Sequence, residues 1–94
     1  MSALSATSTI SQSEECLAAD VGVELVLMTM RKGLYLSLDP IGADIWKRLS
    51  PPIAVAELRD LLAQEYEASP DTIEADLIEM LTELAEAGVI EVSP

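Results

Sequence analysis

Apolar residues recur at every second position in the first half of the chain and at every third or fourth position in the second half. Residues 21–30 and 34–38 have the two-residue period of β-strands. Between them, Arg31-Lys32-Gly33 is a polar turn whose glycine can adopt a positive φ. The pattern therefore predicts an antiparallel hairpin.

The first strand of this hairpin is apolar on both faces. One face carries Leu25 and Leu27, and we expect it to cover the helices. The opposite face carries Val26, Met28 and Met30. That second face is either covered by the N-terminal tail, left partly exposed, or offered to another protein.

Three amphipathic helices are predicted after the hairpin. The first begins with Asp39 as N-cap and Pro40 at the first helical position, and Ser50-Pro51-Pro52 stops it. The second ends near Tyr66, and the third runs from Ser69-Pro70-Asp71 to Gly88. Their apolar faces are, in order, Ile41, Ile45, Trp46 and Leu49; Val55, Leu58, Leu62 and Tyr66; and Ile73, Leu77, Met80, Leu81 and Leu84.

This order of elements predicts a small α+β domain in which helices cover one face of an antiparallel sheet. A weak strand signal at residues 7–10 offers a third strand; if it pairs with residues 21–30, residues 34–38 are left at the sheet edge. We otherwise expect residues 1–13 to be a flexible tail and residues 14–94 to form the domain. The second and third helices have the spacing of a winged-helix domain.

The charge of the chain argues against a nucleic-acid partner. The 94 residues carry a net charge of -12, and from Asp60 onward there are ten acidic residues and no Lys or Arg. The acidic residues either form a solvated face or attract a basic segment of a partner.

The residues needed for common catalytic and metal sites are missing. The chain has no His, and its single Cys16 has no activating partner, so no Cys-His or Ser-His nucleophile can be assembled. The four glycines form no phosphate-binding motif. We expect no enzyme activity, metal or cofactor. Without a signal-peptide pattern or a long apolar run, we expect a cytoplasmic protein with no membrane partner.

Several short motifs occur in a fixed order along the chain. They are Gly33-x-Tyr35-x-x-Leu38-Asp39-x-x-Gly42-Ala43-x-Ile45-Trp46, Val55-Ala56-Glu57-Leu58 with Tyr66, Asp76-Leu77 and Leu84-x-x-Ala87-Gly88-Val89-Ile90. In combination they resemble the PqqD-like proteins, the leader-recognition elements of ribosomally made, post-translationally modified peptides. The resemblance covers residues 21–92 and implies a winged-helix-like domain with a three-stranded antiparallel sheet followed by three helices.

The resemblance also implies a binding site. A leader peptide would lie as an added strand against the sheet and in a cleft beside the third helix. Carried onto this chain, the edge is Leu34, Tyr35, Leu36, Ser37 and Leu38, and the helix wall is Ile73, Asp76, Leu77 and Met80. The alternative role for the apolar residues of this wall is ordinary core packing. The alternative role for Asp76 is exposure to solvent or capping of the helix.

Within this edge we expect the backbone of Tyr35, Leu36 and Ser37 to bind the leader, so a Leu36→Pro change should weaken binding. The favoured partners are a precursor peptide and the leader peptidase and cyclase of a lasso-peptide pathway. One alternative is a chaperone that presents a precursor to a radical SAM enzyme, in pyrroloquinoline quinone or another pathway. Another is an acidic scaffold subunit without leader specificity.

Overall fold

The computed structural model describes residues 4–93, and within them it contains six strands and three helices. The strands form two antiparallel sheets, ordered β2-β3-β4 and β5-β1-β6. The predicted α+β class is confirmed, and the second sheet is an addition to it. The elements are β1 Thr9–Gln12, β2 Cys16–Val21, β3 Glu24–Thr29, β4 Tyr35–Leu38, α1 Pro40–Lys47, β5 Ile53–Ala54, α2 Val55–Glu65, α3 Pro70–Ala87 and β6 Ile90–Ser93.

The predicted hairpin is formed by β3 and β4. Gly33 has a φ of 65°, as its place in the turn requires. In the ladder Leu25 lies opposite Leu38, and Leu27 lies opposite Leu36. Leu25, Leu27 and Leu38 are buried, so this face of the sheet is the one that covers the core.

The third strand of this sheet differs from the prediction. A strand does form near residues 7–10, but β1 pairs with β5 and β6 instead of with β3. The other neighbour of β3 is β2, which the sequence pattern did not reveal. Ser8 and Ile10 are buried, so the domain begins before residue 14, and part of the expected tail is a central strand.

The helix boundaries follow the predicted signals closely. The Gly42 N–H donates to Asp39 Oδ1 at 2.7 Å, which makes Asp39 the N-cap of α1. Gly88 ends α3 in the left-handed conformation with a φ of 83°. Ser69 occupies the N-cap position of α3, but its side chain makes no capping hydrogen bond.

Trp46 ties helix α1 to the second sheet. Its indole N–H donates to the Val89 carbonyl at 3.3 Å, and its own carbonyl accepts from the Gln12 side-chain amide at 3.0 Å. Because α1 also contacts β3 and β4, the helix lies between the hairpin sheet and the second sheet. The core around it is apolar and consists largely of Ile10, Leu25, Leu27, Leu49, Val55, Leu58, Leu77, Leu81, Leu84 and Val89.

Candidate functional site

The β4 strand has one free edge, because within residues 4–93 it pairs with β3 alone. The Thr29 N–H donates to the Leu34 carbonyl at 2.9 Å, which makes residues 29 and 34 a hydrogen-bonded pair. Hydrogen-bonded and non-hydrogen-bonded pairs alternate along an antiparallel ladder. The backbone groups of Leu36 therefore point at β3, and those of Tyr35 and Ser37 point at the open edge.

This alternation gives different roles to three residues that were expected to bind the leader together. Tyr35 and Ser37 each offer an N–H and a carbonyl to an added strand, whereas Leu36 uses its groups within the sheet. A Leu36→Pro change would consequently break the β3–β4 ladder itself, so it is the wrong substitution to test the edge.

The side chains of the predicted edge differ in exposure. Tyr35 is 74% exposed and Leu34 is 49% exposed, whereas Leu38 is buried and Leu36 is half-buried on the core side. Ser37 donates its hydroxyl hydrogen to Glu24 at 3.0 Å. Side-chain contact with a visiting strand is thus open to Tyr35, Leu34 and Ser37, and Leu38 serves the core.

An apolar pocket of about 300 Å³ lies among the three helices. All four predicted wall residues of α3 line it, including Leu77, which is only 2% exposed and also belongs to the core. Asp76 is exposed in the middle of α3, so it cannot cap the helix. The complete lining is Ile41, Ile45, Leu62, Tyr66, Ile73, Asp76, Leu77 and Met80.

Four lining residues were not in the predicted site: Ile41, Ile45, Leu62 and Tyr66. All four had been assigned simply to the apolar faces of the first two helices. The sequence contains one hint of the pocket, which is the apolar residue Ile41 directly after Pro40 at the start of α1. In the structure Ile41 remains 54% exposed. Its position in the first turn of α1 places it at the rim.

The pocket and the β4 edge meet at Gly42. A Cβ atom added there would lie 3.2 Å from Met80 Cε and 3.4 Å from Leu38 Cβ. A glycine at this position therefore lets α1 approach both α3 and the end of β4. The pocket therefore lies beside the end of β4, and we call the two together the edge-and-pocket site.

Tyr66 is held at the pocket by a polar network on its other side. Its hydroxyl donates to Asp44 Oδ2 at 3.1 Å, and Arg48 Nε donates to Asp44 Oδ1 at 3.1 Å. The hydrogen bond to Asp44 raises the pKa of Tyr66 above its usual value, and burial adds to the effect. The phenol is therefore kept protonated while its ring lines the pocket.

The described residues offer little that could support catalysis. Burial raises the pKa of the Cys16 thiol, which disfavours the reactive thiolate. No group of three or more His, Cys, Asp or Glu side chains in residues 4–93 is arranged to hold a metal ion. A cavity of about 360 Å³ between Glu14, Arg31, Lys32 and Glu91 contains mixed charges, and Ile90 is the only large apolar side chain that lines it, so the edge-and-pocket site is the stronger candidate.

The comparison with protein families decides the relationship of the chain. Residues 24–90 match the family described as coenzyme PQQ synthesis protein D (PqqD). The chain belongs to the PqqD family. The predicted resemblance is thereby confirmed, and the matched region of this PqqD-family chain includes β3, β4 and the three helices α1 to α3.

Solved structures resemble the PqqD-family chain over most of its length. TbiB1 in complex with the TbiA(beta) leader peptide is 31% identical, with a TM-score of 0.78, covering 86% of this chain and 94% of that one. Lasso peptide synthetase B1 complexed with the leader peptide is 28% identical, with a TM-score of 0.77 and coverages of 87% and 96%.

A third similar structure is the PqqD truncation of Methylobacterium extorquens PqqCD, described as a functional and stand-alone recognition element for ribosomally synthesized and post-translationally modified peptides. It is 26% identical, with a TM-score of 0.79, and covers 95% of both chains. Among curated proteins, none is similar enough to count as a match. No helix within residues 4–93 has the length and apolar character needed to cross a membrane.

Proposed function

We propose that this chain is a non-catalytic adaptor that binds the leader segment of a ribosomally made precursor peptide. The observation that carries the proposal is the free edge of β4, whose end lies beside an apolar pocket. Support comes from TbiB1 and lasso peptide synthetase B1, two similar proteins whose structures contain a leader peptide.

The proposed binding mode is strand addition to the sheet. Tyr35 and Ser37 exchange backbone hydrogen bonds with the leader, which provides affinity for any extended peptide. Side chains of the leader then select the sequence, with an apolar one entering the pocket between Ile41, Tyr66 and Met80. Exposed Asp76 at the pocket favours a basic or hydroxyl group on the neighbouring part of the leader.

The pathway that we favour is lasso-peptide biosynthesis. There the adaptor presents the leader to a peptidase and a cyclase, and it acts in the cytoplasm without a cofactor. The similarity to lasso peptide synthetase B1 supports this assignment. The second candidate is a chaperone that presents a precursor to a radical SAM enzyme, and the match to the PqqD family and to the Methylobacterium extorquens domain supports it.

Proline substitutions on the two edges of the hairpin sheet test the binding mode. Ser37→Pro removes an N–H that points at the open edge and leaves the β3–β4 ladder intact. Ala18→Pro is the matched control on the opposite edge of the sheet. The Met30 N–H donates to the Glu15 carbonyl, so residues 15 and 30 are a hydrogen-bonded pair. Because such pairs alternate along the ladder, the Ala18 N–H points away from β3, at the free edge of β2.

We expect Ser37→Pro to weaken binding of a fluorescein-labelled leader about tenfold, because one hydrogen bond is lost and the proline ring obstructs the added strand. Ala18→Pro should leave the affinity unchanged. Fluorescence anisotropy with the leader of the precursor encoded in the same gene cluster measures both. If the two folded variants bind the leader with equal affinity, the β4 edge is not the binding site. If the unmodified chain does not bind the leader, the adaptor function is wrong.

A further inference from the structure

The apolar pocket has a floor that is fixed by the core and a rim that is more exposed. Ile45, Leu62 and Leu77 form the floor, and each is at most 6% exposed. Tyr66 lies at the rim, where it is 44% exposed and supplies an aromatic ring to the lining. Close packing holds the floor residues in place, whereas a half-exposed ring needs a further contact to stay in one position.

The backbone leaves Tyr66 at the end of a helix. Tyr66 is the C-cap of α2, and its N–H donates to the Leu62 carbonyl at 2.9 Å. Glu67, the next residue, has a φ of 50°, in the left-handed region that a residue other than glycine rarely adopts. The chain therefore leaves the helix directly after Tyr66, and regular helical structure supports this residue from one side only.

A side-chain network holds the Tyr66 ring. Its hydroxyl donates to Asp44 Oδ2 at 3.1 Å, which links the end of α2 to α1. Asp44 is itself held, because its Oδ1 accepts from Arg48 Nε at 3.1 Å. Arg48 also donates through Nη2 to Glu65 Oε1 at 2.7 Å. The hydroxyl of Tyr66 is thus bound to a carboxylate that a guanidinium keeps in place.

This network lies behind the pocket wall. The described lining includes Tyr66 but not Asp44, Arg48 or Glu65. Asp44 can therefore influence the shape of the pocket through the position of the Tyr66 ring. A ring that is ordered before binding loses less conformational entropy when a ligand packs against it, so pre-organisation strengthens binding.

We propose that Asp44 is a positioning residue for leader recognition. By holding the Tyr66 ring it fixes one wall of the pocket, and so it determines how closely an apolar side chain of the leader fits. This inference rests on the proposed adaptor function and names residues that make the pocket selective. The leader residue that enters the pocket is called the anchor.

Variants of the network are compared with two leader peptides. Asp44→Ala removes the hydrogen-bond acceptor, Tyr66→Phe removes the donor but keeps the ring, and the double variant removes both. Glu65→Ala is the matched control, because it removes a carboxylate that accepts from Arg48 instead of from Tyr66. The anchor is the apolar leader position whose replacement by alanine loses its effect once Ile73 of the pocket is also alanine. Fluorescence anisotropy measures the affinities for the cognate leader and for the leader with alanine at the anchor, and circular dichroism checks folding.

We expect Asp44→Ala and Tyr66→Phe each to weaken binding of the cognate leader about fivefold, and the double variant to lose no more than either, because all three break the same hydrogen bond. None of them should weaken binding of the leader with alanine at the anchor. Glu65→Ala should bind both leaders within about twofold of the unmodified chain.

The outcomes separate this inference from the adaptor function. Undiminished binding by Asp44→Ala, losses that add up in the double variant, equal losses with both leaders, or the absence of any anchor position would each overturn the role of Asp44 and leave the adaptor function standing. If the unmodified chain does not bind the cognate leader, the adaptor function is wrong and the inference falls with it.

Discussion

Asp39 connects the edge strand to the helix that supports the pocket. Its carboxylate accepts the Gly42 N–H at 2.7 Å, which satisfies one of the free donors at the start of α1. Replacing Asp39 by Ala should lower the free energy of unfolding by about 1 kcal/mol. Urea unfolding followed by circular dichroism measures this loss, and Asp39→Asn should recover most of it.

Ser69→Ala is the control for this prediction. Ser69 has the corresponding position before α3, but its side chain makes no capping hydrogen bond. Its removal should cost no more than a few tenths of a kcal/mol, about the difference expected when no bond is lost. If Ser69→Ala and Asp39→Ala destabilise equally, the hydrogen bond to Gly42 is not the source of the effect.

The phenol of Tyr66 gives a residue-scale prediction about pH. Its pKa is raised chiefly by the hydrogen bond to Asp44, so the native state favours the protonated form. Its contribution to stability is therefore present below the unfolded pKa of about 10 and is lost as pH rises through the higher native pKa. In a Tyr35→Phe background, ultraviolet titration should show Tyr66 ionising at lower pH when Asp44 is replaced by Ala. An unchanged titration curve would contradict the role of Asp44.

Residue-scale features were predictable where local chemistry decides them. The N-cap Asp39 and the positive φ of Gly33 and Gly88 follow from rules that involve only a few neighbouring residues. The direction of the Tyr35 and Ser37 backbone groups was not predictable, because it depends on which residues pair across the ladder. A shift of one residue in that register would have exchanged their role with that of Leu36.

At the scale of elements, the C-terminal half of α3 has an unfavourable charge arrangement. Its last turn contains no basic residue, and Glu79 and Glu83 are like charges four residues apart. Lys32 compensates in part by donating to the Glu86 carbonyl at 2.9 Å. A Glu83→Lys change should raise the free energy of unfolding by about 0.5–1 kcal/mol, because it creates an attractive pair with Glu79 and suits the helix dipole.

A Glu→Lys change near the start of a helix should instead lower the free energy of unfolding. Glu57 is an exposed acidic residue in the first turn of α2, where negative charge is favourable. Glu57→Lys should therefore destabilise the protein by about 0.3–1 kcal/mol. Urea unfolding of both variants separates the dipole effect from a general gain on reducing the acidic charge, which would make both changes stabilising.

The elements themselves were predicted unevenly. The helices and the β3–β4 hairpin carry strong periodic patterns, and the sequence located them within a few residues. Strand β2 was missed because it contains adjacent alanines and its side chains from Leu17 to Val21 are exposed, so no buried face marks it. Its stability comes from pairing with β3, which is a tertiary contact and leaves no period in the sequence.

At the scale of the whole molecule, the pairing of strands in the second sheet could not be predicted from local sequence patterns. Strand β1 pairs Ile10 with Ile53 on one side and with Val92 on the other. These partners are far apart along the chain, and each strand is short. The candidate site was more accessible because its two parts, β4 and α3, each have a strong local pattern; their meeting at Gly42 required the three-dimensional packing.

The net charge of -12 makes a prediction for the molecule as a whole. Folding brings the excess acidic charges closer together, and added salt screens their repulsion over a Debye length of about 10 Å at 0.1 M. The exposed ion pairs of Arg31 with Glu15 and Lys47 with Asp20 oppose this trend, but each contributes only about 0–1 kcal/mol. The pairs of Arg48 and Arg59, whose side chains are 24% and 25% exposed, are screened less by salt.

Repulsion should therefore dominate, and the midpoint of thermal unfolding should rise as sodium chloride increases from about 10 mM to about 150 mM. Differential scanning calorimetry measures the midpoint, and Glu83→Lys should reduce its dependence on salt because it lowers the net negative charge. A midpoint that falls with salt would mean that the ion pairs outweigh the repulsion. In that case the acidic surface would be stabilised by its own internal pairing, and the case for a basic partner would lose its physical reason.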